Sequence, residues 1–191
     1  MARPKSEDKR AALLDAAATV FAEQGLSAPT SLISKTAEVS EGSLFTYFKT
    51  KDDLINALYR EIRLDLAVAV TRDFPRKASV RDRLKHVWTR YVSWGAANPV
   101  ARRALKHVSM SNAITPAVRA EGGSLFAEVE RLQLDAVEQR RLLHLPPIMA
   151  SHALKAMAEM TMDLIEQQPD HAEEFTSSGF QMLWGALTSK P

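Results

Sequence analysis

The chain has 191 residues, 46% hydrophobic and 25% charged, with a net charge of +2 and no cysteine. That length supplies one domain, or one with a small appendage, and needs no covalent staple; the missing cysteine excludes disulfides, thiolate zinc sites, iron–sulfur ligation and cysteine nucleophiles. No apolar run is long enough to span a bilayer, and the charged stretch from Met1 to Arg10 carries no apolar signal core, so a cytoplasmic protein is expected.

Prolines at 4, 29, 75, 99, 116, 146, 147, 169 and 191 punctuate stretches of helical periodicity without strand alternation or repeats. The first helix is expected from Glu7 to Gln24, capped by Ser6, with Leu13, Leu14, Ala17, Val20 and Phe21 on one face and Gly25 as its left-handed stop. Short helices follow at Thr30 to Ala37 and Glu41 to Phe48. Thr50 and Asp53 resemble a capping box that opens a long helix from Lys51 to Asp73. Ser79 caps a helix to Ala97, and Asn98-Pro99 restarts the chain. Thr115-Pro116 opens a helix that could run to Arg141 across Gly122-Gly123, Pro146-Pro147 one to Gln167, and Pro169-Asp170 the last, to Leu187. The expected fold is all-α, with about nine helices and a division near residue 50 into residues 1–50 and 51–191.

Residues Thr30 to Phe48 have the proportions of a helix-turn-helix. Ile33 and Ala37 would lock its first helix, Val39 would plug the turn, and Leu44 and Phe48 would pin the second helix from beneath. The opposite face of that second helix, with Glu41, Gly42, Ser43, Thr46 and Tyr47, is polar and small at its N-terminal end. A helix of that kind can enter a major groove about 12 Å wide. By spacing alone, two packed helices of an all-α domain remain an alternative.

The string from Val39 to Leu54, VSEGSLFTYFKTKDDL, resembles the signature of the tetracycline-repressor (TetR) family, as does Phe-Ala-Glu-x-Gly-Leu from Phe21 to Leu26. The resemblance covers about residues 10–60. It implies a homodimeric repressor of an inverted-repeat DNA operator, with a helical domain whose small-molecule effector releases the DNA. It also implies phosphate contacts from Thr30, Ser31, Tyr47 and Lys51, and a groove floor read by Glu41, Gly42, Ser43 and Thr46. Four positions depart from the family pattern: Glu38 replaces a glycine in the turn, Ser31 a basic residue, Leu32 a polar one and Phe45 a tyrosine hydroxyl.

In the rest of the chain the last two helices are apolar on more than one side, which asks for a second partner besides the core. A homodimer through those helices is expected, with Ala150, Ala153 and Gly179 allowing close approach. Trp88, Tyr91, Trp94, Met110, Phe126 and Met157 are the bulky candidates for a pocket taking a small apolar or amphipathic effector. The five histidines lack metal-ligand spacing, and no nucleophile elbow, P-loop or dinucleotide fingerprint occurs, so neither a metal nor an enzyme is expected. The competing function is a helical protein-interaction or small-molecule carrier domain that does not bind DNA.

Overall fold

The computed structural model describes residues 5–127, 129, 131–132 and 147–188. Among them lie helices α1 (Lys5–Gln24), α2 (Thr30–Thr36), α3 (Glu41–Tyr47), α4 (Lys51–Thr71), α5 (Val80–Ala97), α6 (Pro99–Ser109), α7 (Pro116–Ser124), α8 (Pro147–Gln167), a 3₁₀ turn (Pro169–His171) and α9 (Ala172–Thr188). The described residues contain no strand, and none of their helices is long and apolar enough to cross a membrane.

Side-chain caps set the starts of four of the described helices. Ser40 Oγ accepts from Ser43 N (3.2 Å), Ser79 Oγ from Asp82 N (3.1 Å) and Thr115 Oγ1 from Val118 N (3.3 Å). Thr50 and Asp53 bond reciprocally, Asp53 N to Thr50 Oγ1 at 3.1 Å and Thr50 N to Asp53 Oδ2 at 3.0 Å, so aspartate fills the usual glutamate role in the box. Gly25 stops α1 with φ +70.

Three expected boundaries are corrected. Helix α1 already runs at Lys5, so Ser6 lies within it instead of capping it. The helix from Pro116 ends at Ser124, where Gly123 and Ser124 are poor helix formers and Leu125 and Phe126 form a turn. The rest of the run expected to reach Arg141 lies largely outside the described residues, as does Pro146. Pro169 and Asp170 make the 3₁₀ turn, and α9 starts after it at Ala172.

The packing forms two units. One comprises residues 1–65 with 98–125, the other residues 66–97 with 126–191. In the first, the α1 stripe of Leu13, Leu14, Ala17, Val20 and Phe21 is buried together with Ile33, Leu44, Phe48, Leu54 and Leu58. Helix α6 lies along α1 and buries Ala104 and Val108. The buried Asn56 ties α4 to the α6–α7 loop: its Nδ2 donates to Asp52 O and Ala113 O (2.7 Å each), and its Oδ1 accepts from Thr115 N at 3.1 Å. Arg63 donates to Gly122 O at 2.6 Å. A Cβ on Gly122 would stand 2.8 Å from the Tyr59 ring, so α7 crosses α4 where glycine permits contact.

In the second unit, α5 packs against α8 and α9. Trp88 is fully buried and donates Nε1–H to Thr176 O at 2.8 Å. Burying an indole of about 150–250 Å² contributes at most about 4–6 kcal/mol of transfer free energy. A Cβ on Gly179 would lie 2.6 Å from Trp88 Cζ2 and 2.7 Å from Thr161 Oγ1. Gly179 therefore seats the indole inside its own chain, which corrects its expected place in a subunit interface.

Candidate nucleic-acid interface

Helix α2 ends in a Schellman motif. Val39 N donates to Ser34 O at 3.0 Å and Glu38 N to Lys35 O at 3.1 Å, the two bonds that close such an end. The motif needs a left-handed residue after the cap, and Glu38 supplies it at φ 56. The departure from glycine thus leaves the turn geometry intact and stores strain there. Val39 is half-buried, as a plug for the turn requires.

Helix α3 is pinned from beneath by Leu44 and Phe48, 0% and 3% exposed. Its outer face presents Glu41, Gly42, Phe45 and Thr46 to solvent, with Ser43 and Tyr47 half-exposed. Thr46 Oγ1 donates to Gly42 O at 3.0 Å, so its hydroxyl is turned along the helix. A Cβ on Gly42 would meet nothing within 4 Å.

The α2 end of the motif is tied to its neighbours by two side chains. Thr30 Oγ1 donates to Glu41 Oε1 at 2.8 Å. Lys51 Nζ donates to Ala28 O at 2.6 Å and lies 5.9 Å from the Phe21 ring centroid. That contact holds the loop before α2 against the start of α4. Ser31 is exposed one position further along α2.

The eight expected DNA-contacting residues therefore fall on one segment, from the start of α2 to the start of α4. Phe45, marked in the sequence for its missing hydroxyl, is 42% exposed on the same face as Gly42, which the sequence pattern does not reveal. Arg10 lies over the Phe48 ring at 5.5 Å, adding a cation beside the end of α3.

The expected effector residues separate. Trp88, Tyr91, Trp94, Phe126 and Met157 belong to the second unit, whereas Met110 caps α6 in the first and is 83% exposed. Trp88 and Trp94 are buried, while Tyr91, Phe126 and Met157 are half-buried. Tyr91 Oη reaches toward Glu159 Oε1 at 3.4 Å. On α8 and α9 the exposed apolar groups include Met149, Met160 and Met182, and Phe175 is half-buried.

Residues 13–58 match the family model of bacterial regulatory proteins, tetR family. The chain is 32% identical over 82 residues to the fatty acid metabolism regulator protein of Bacillus subtilis, a stretch that covers 42% of each chain. Its fold matches a TetR-family transcription regulator of Marinobacter aquaeolei VT8, with a TM-score of 0.87 at 20% identity over 99% of this chain and 100% of the other. It also matches the transcriptional regulator FadR of Bacillus subtilis in complex with stearoyl-CoA, with a TM-score of 0.69 at 18% identity over 93% and 99%. The N-terminal helix-turn-helix region matches the tetR family model, and the chain shares the fold of solved TetR-family transcription regulators.

Proposed function

We propose that the chain is a homodimeric, ligand-responsive repressor that binds an inverted-repeat operator. Residues 1–50 would read the DNA, and residues 51–191 would carry the effector site and the dimer interface. The observation that carries this reading is Gly42. A glycine in a helix costs roughly 0.5–1 kcal/mol relative to alanine, and none of the described residues needs the space beside this one. An outside surface that must approach the α3 backbone closely accounts for it, and a major groove is such a surface.

Around Gly42 the roles divide by chemistry. Ser31, Tyr47 and Lys51 suit phosphates, Thr30 gives its one hydroxyl proton to Glu41 and so reaches a phosphate only by giving up that bond, and Glu41, Ser43 and Thr46 suit the base edges. Phe45 adds an apolar contact suited to a thymine methyl. The dimer would form through the exposed faces of α8 and α9, where Met160 and Met182 stand in solvent. The effector would be an apolar or amphipathic molecule, with an acyl chain the leading class. The name of the Bacillus relative and the stearoyl-CoA complex of the fold neighbour support that class, as do the aromatic and methionine side chains of the second unit.

The test is selection from a pool of randomised duplexes, followed by a salt series on the winner and on a scrambled duplex. An inverted repeat should emerge, with half-site centres about 34–36 Å or a multiple apart. Binding that falls with salt yet enriches no sequence would overturn the reading.

A further inference from the structure

A carboxylate on the exposed face of a DNA-reading helix is expensive: it faces a phosphate-lined groove and must shed water there. Glu41, the first residue of α3, is exposed, and it is held in place. The Thr30 hydroxyl donates to its Oε1 at 2.8 Å, so one oxygen is occupied inside the protein and Oε2 remains to accept from outside. Resting on the DNA-binding reading above, we propose that Glu41 is a specificity-determining residue that selects cytosine at one position of each half-site, and that Thr30 is its positioning residue.

The choice of base follows from the donor and acceptor pattern of the major groove. An ionised carboxylate only accepts hydrogen bonds. Guanine presents two acceptors, N7 and O6, and thymine presents O4, so all three acceptors repel it. Adenine offers its N6 amine beside the acceptor N7, whose lone pair opposes the charge on Oε2. Cytosine alone offers an N4 amine with no acceptor of its own base next to it in the groove. The bond from Thr30 biases the carboxylate toward one rotamer, which reduces the freedom that would let it swing away from a wrong base. A free glutamate could only be repelled by phosphates, whereas a held one discriminates.

The experiment compares the unmodified protein with Glu41→Gln and Thr30→Val in the same selection, followed by affinities on single-position variants of the selected half-site. The unmodified protein should favour cytosine at one position by about tenfold or more. Glutamine both donates and accepts, so Glu41→Gln should move the preference at that position alone to adenine. Thr30→Val keeps the shape and should weaken the cytosine preference severalfold while other positions hold. If Glu41→Gln tightens binding to every duplex alike and changes no base preference, Glu41 acts only by repulsion and the inference falls while DNA recognition stands. If the unmodified protein itself enriches no sequence, the DNA-binding reading falls first.

Discussion

Thr30 opens α2 and Glu41 opens α3, and the hydroxyl of the first donates to the carboxylate of the second across 2.8 Å. The two short helices of the motif are thereby joined at their N-terminal ends, in addition to the Schellman turn that joins α2 to α3 through the chain. Both groups are partly or fully exposed, so water competes for each. A double-mutant cycle of Thr30→Val and Glu41→Gln, read by urea denaturation, should give a stability coupling of only about 0.5–1 kcal/mol. A coupling well above that would make the pair a structural clamp first.

Glu38 supplies a second, sharper measurement. At φ 56 it occupies a conformation that disfavours any side chain with a Cβ. Glu38→Gly should stabilise the fold by about 0.5–1 kcal/mol, the relief of strain being partly offset by the greater freedom of glycine in the unfolded chain. Thermal or urea unfolding checks this, and a loss of stability would mean that the carboxylate has a partner whose worth exceeds the strain.

The glycines at 42 and 179 should respond in opposite ways to alanine. At position 42 the added methyl meets open space, so the protein should gain up to about 1 kcal/mol while its affinity for the selected duplex falls. At position 179 the same methyl would press on Trp88 and Thr161, and a loss of about 1–3 kcal/mol is expected. A Gly42→Ala protein that binds DNA as well as the original would remove the main support for a close groove approach.

Lys51→Met separates tethering from phosphate binding. Losing the bond to Ala28 O should cost about 1–2 kcal/mol of stability. A phosphate role predicts in addition that binding to selected and scrambled duplexes weakens alike, with the salt slope reduced by about one per half-site. Reduced stability with an unchanged slope would leave Lys51 as a tether alone.

For the dimer, Met160→Glu and Met182→Glu place charges on exposed faces of α8 and α9 and leave the buried Ala158, Met162 and Leu183 untouched. The variant should keep its helical circular dichroism and sediment as a monomer. A unmodified protein that is already monomeric at micromolar concentration would falsify the assembly.

Much of this molecule was legible where the determinants are local. The reciprocal pair of Thr50 and Asp53 lies within one turn, and Ser40, Ser79 and Thr115 each cap an amide three residues on, so sequence spacing alone places them. The bonds from Thr30 to Glu41, from Lys51 to Ala28 and from Asn56 to Ala113 span 11, 23 and 57 positions. Their existence depends on how helices approach, which periodicity does not encode. Gly179 is instructive for the same reason: a small residue on a two-sided apolar helix fits an interface or a core equally well, and only the position of Trp88 decides. Bulk alone groups Met110 with the aromatics, but its place as the cap of α6 leaves it in water.

The union of residues 1–65 with 98–125 has a consequence for how this chain can be cut. The stretch that matches the family model ends at residue 58, yet α1 rests on α6, and Asn56 closes its bonds on Ala113 and Thr115. A fragment ending near residue 65 would lay bare the flank of α1 that α6 covers and leave the Asn56 amide to water and Asp52 O alone. Such an excised piece should express as an aggregate or a fluctuating globule. The intact chain must close a loop of that span before its first unit is complete, so loop-closure entropy falls on the folding rate. In hydrogen exchange, the amides of α1 and α6 should open together, as one cooperative block assembled from two distant stretches of polypeptide.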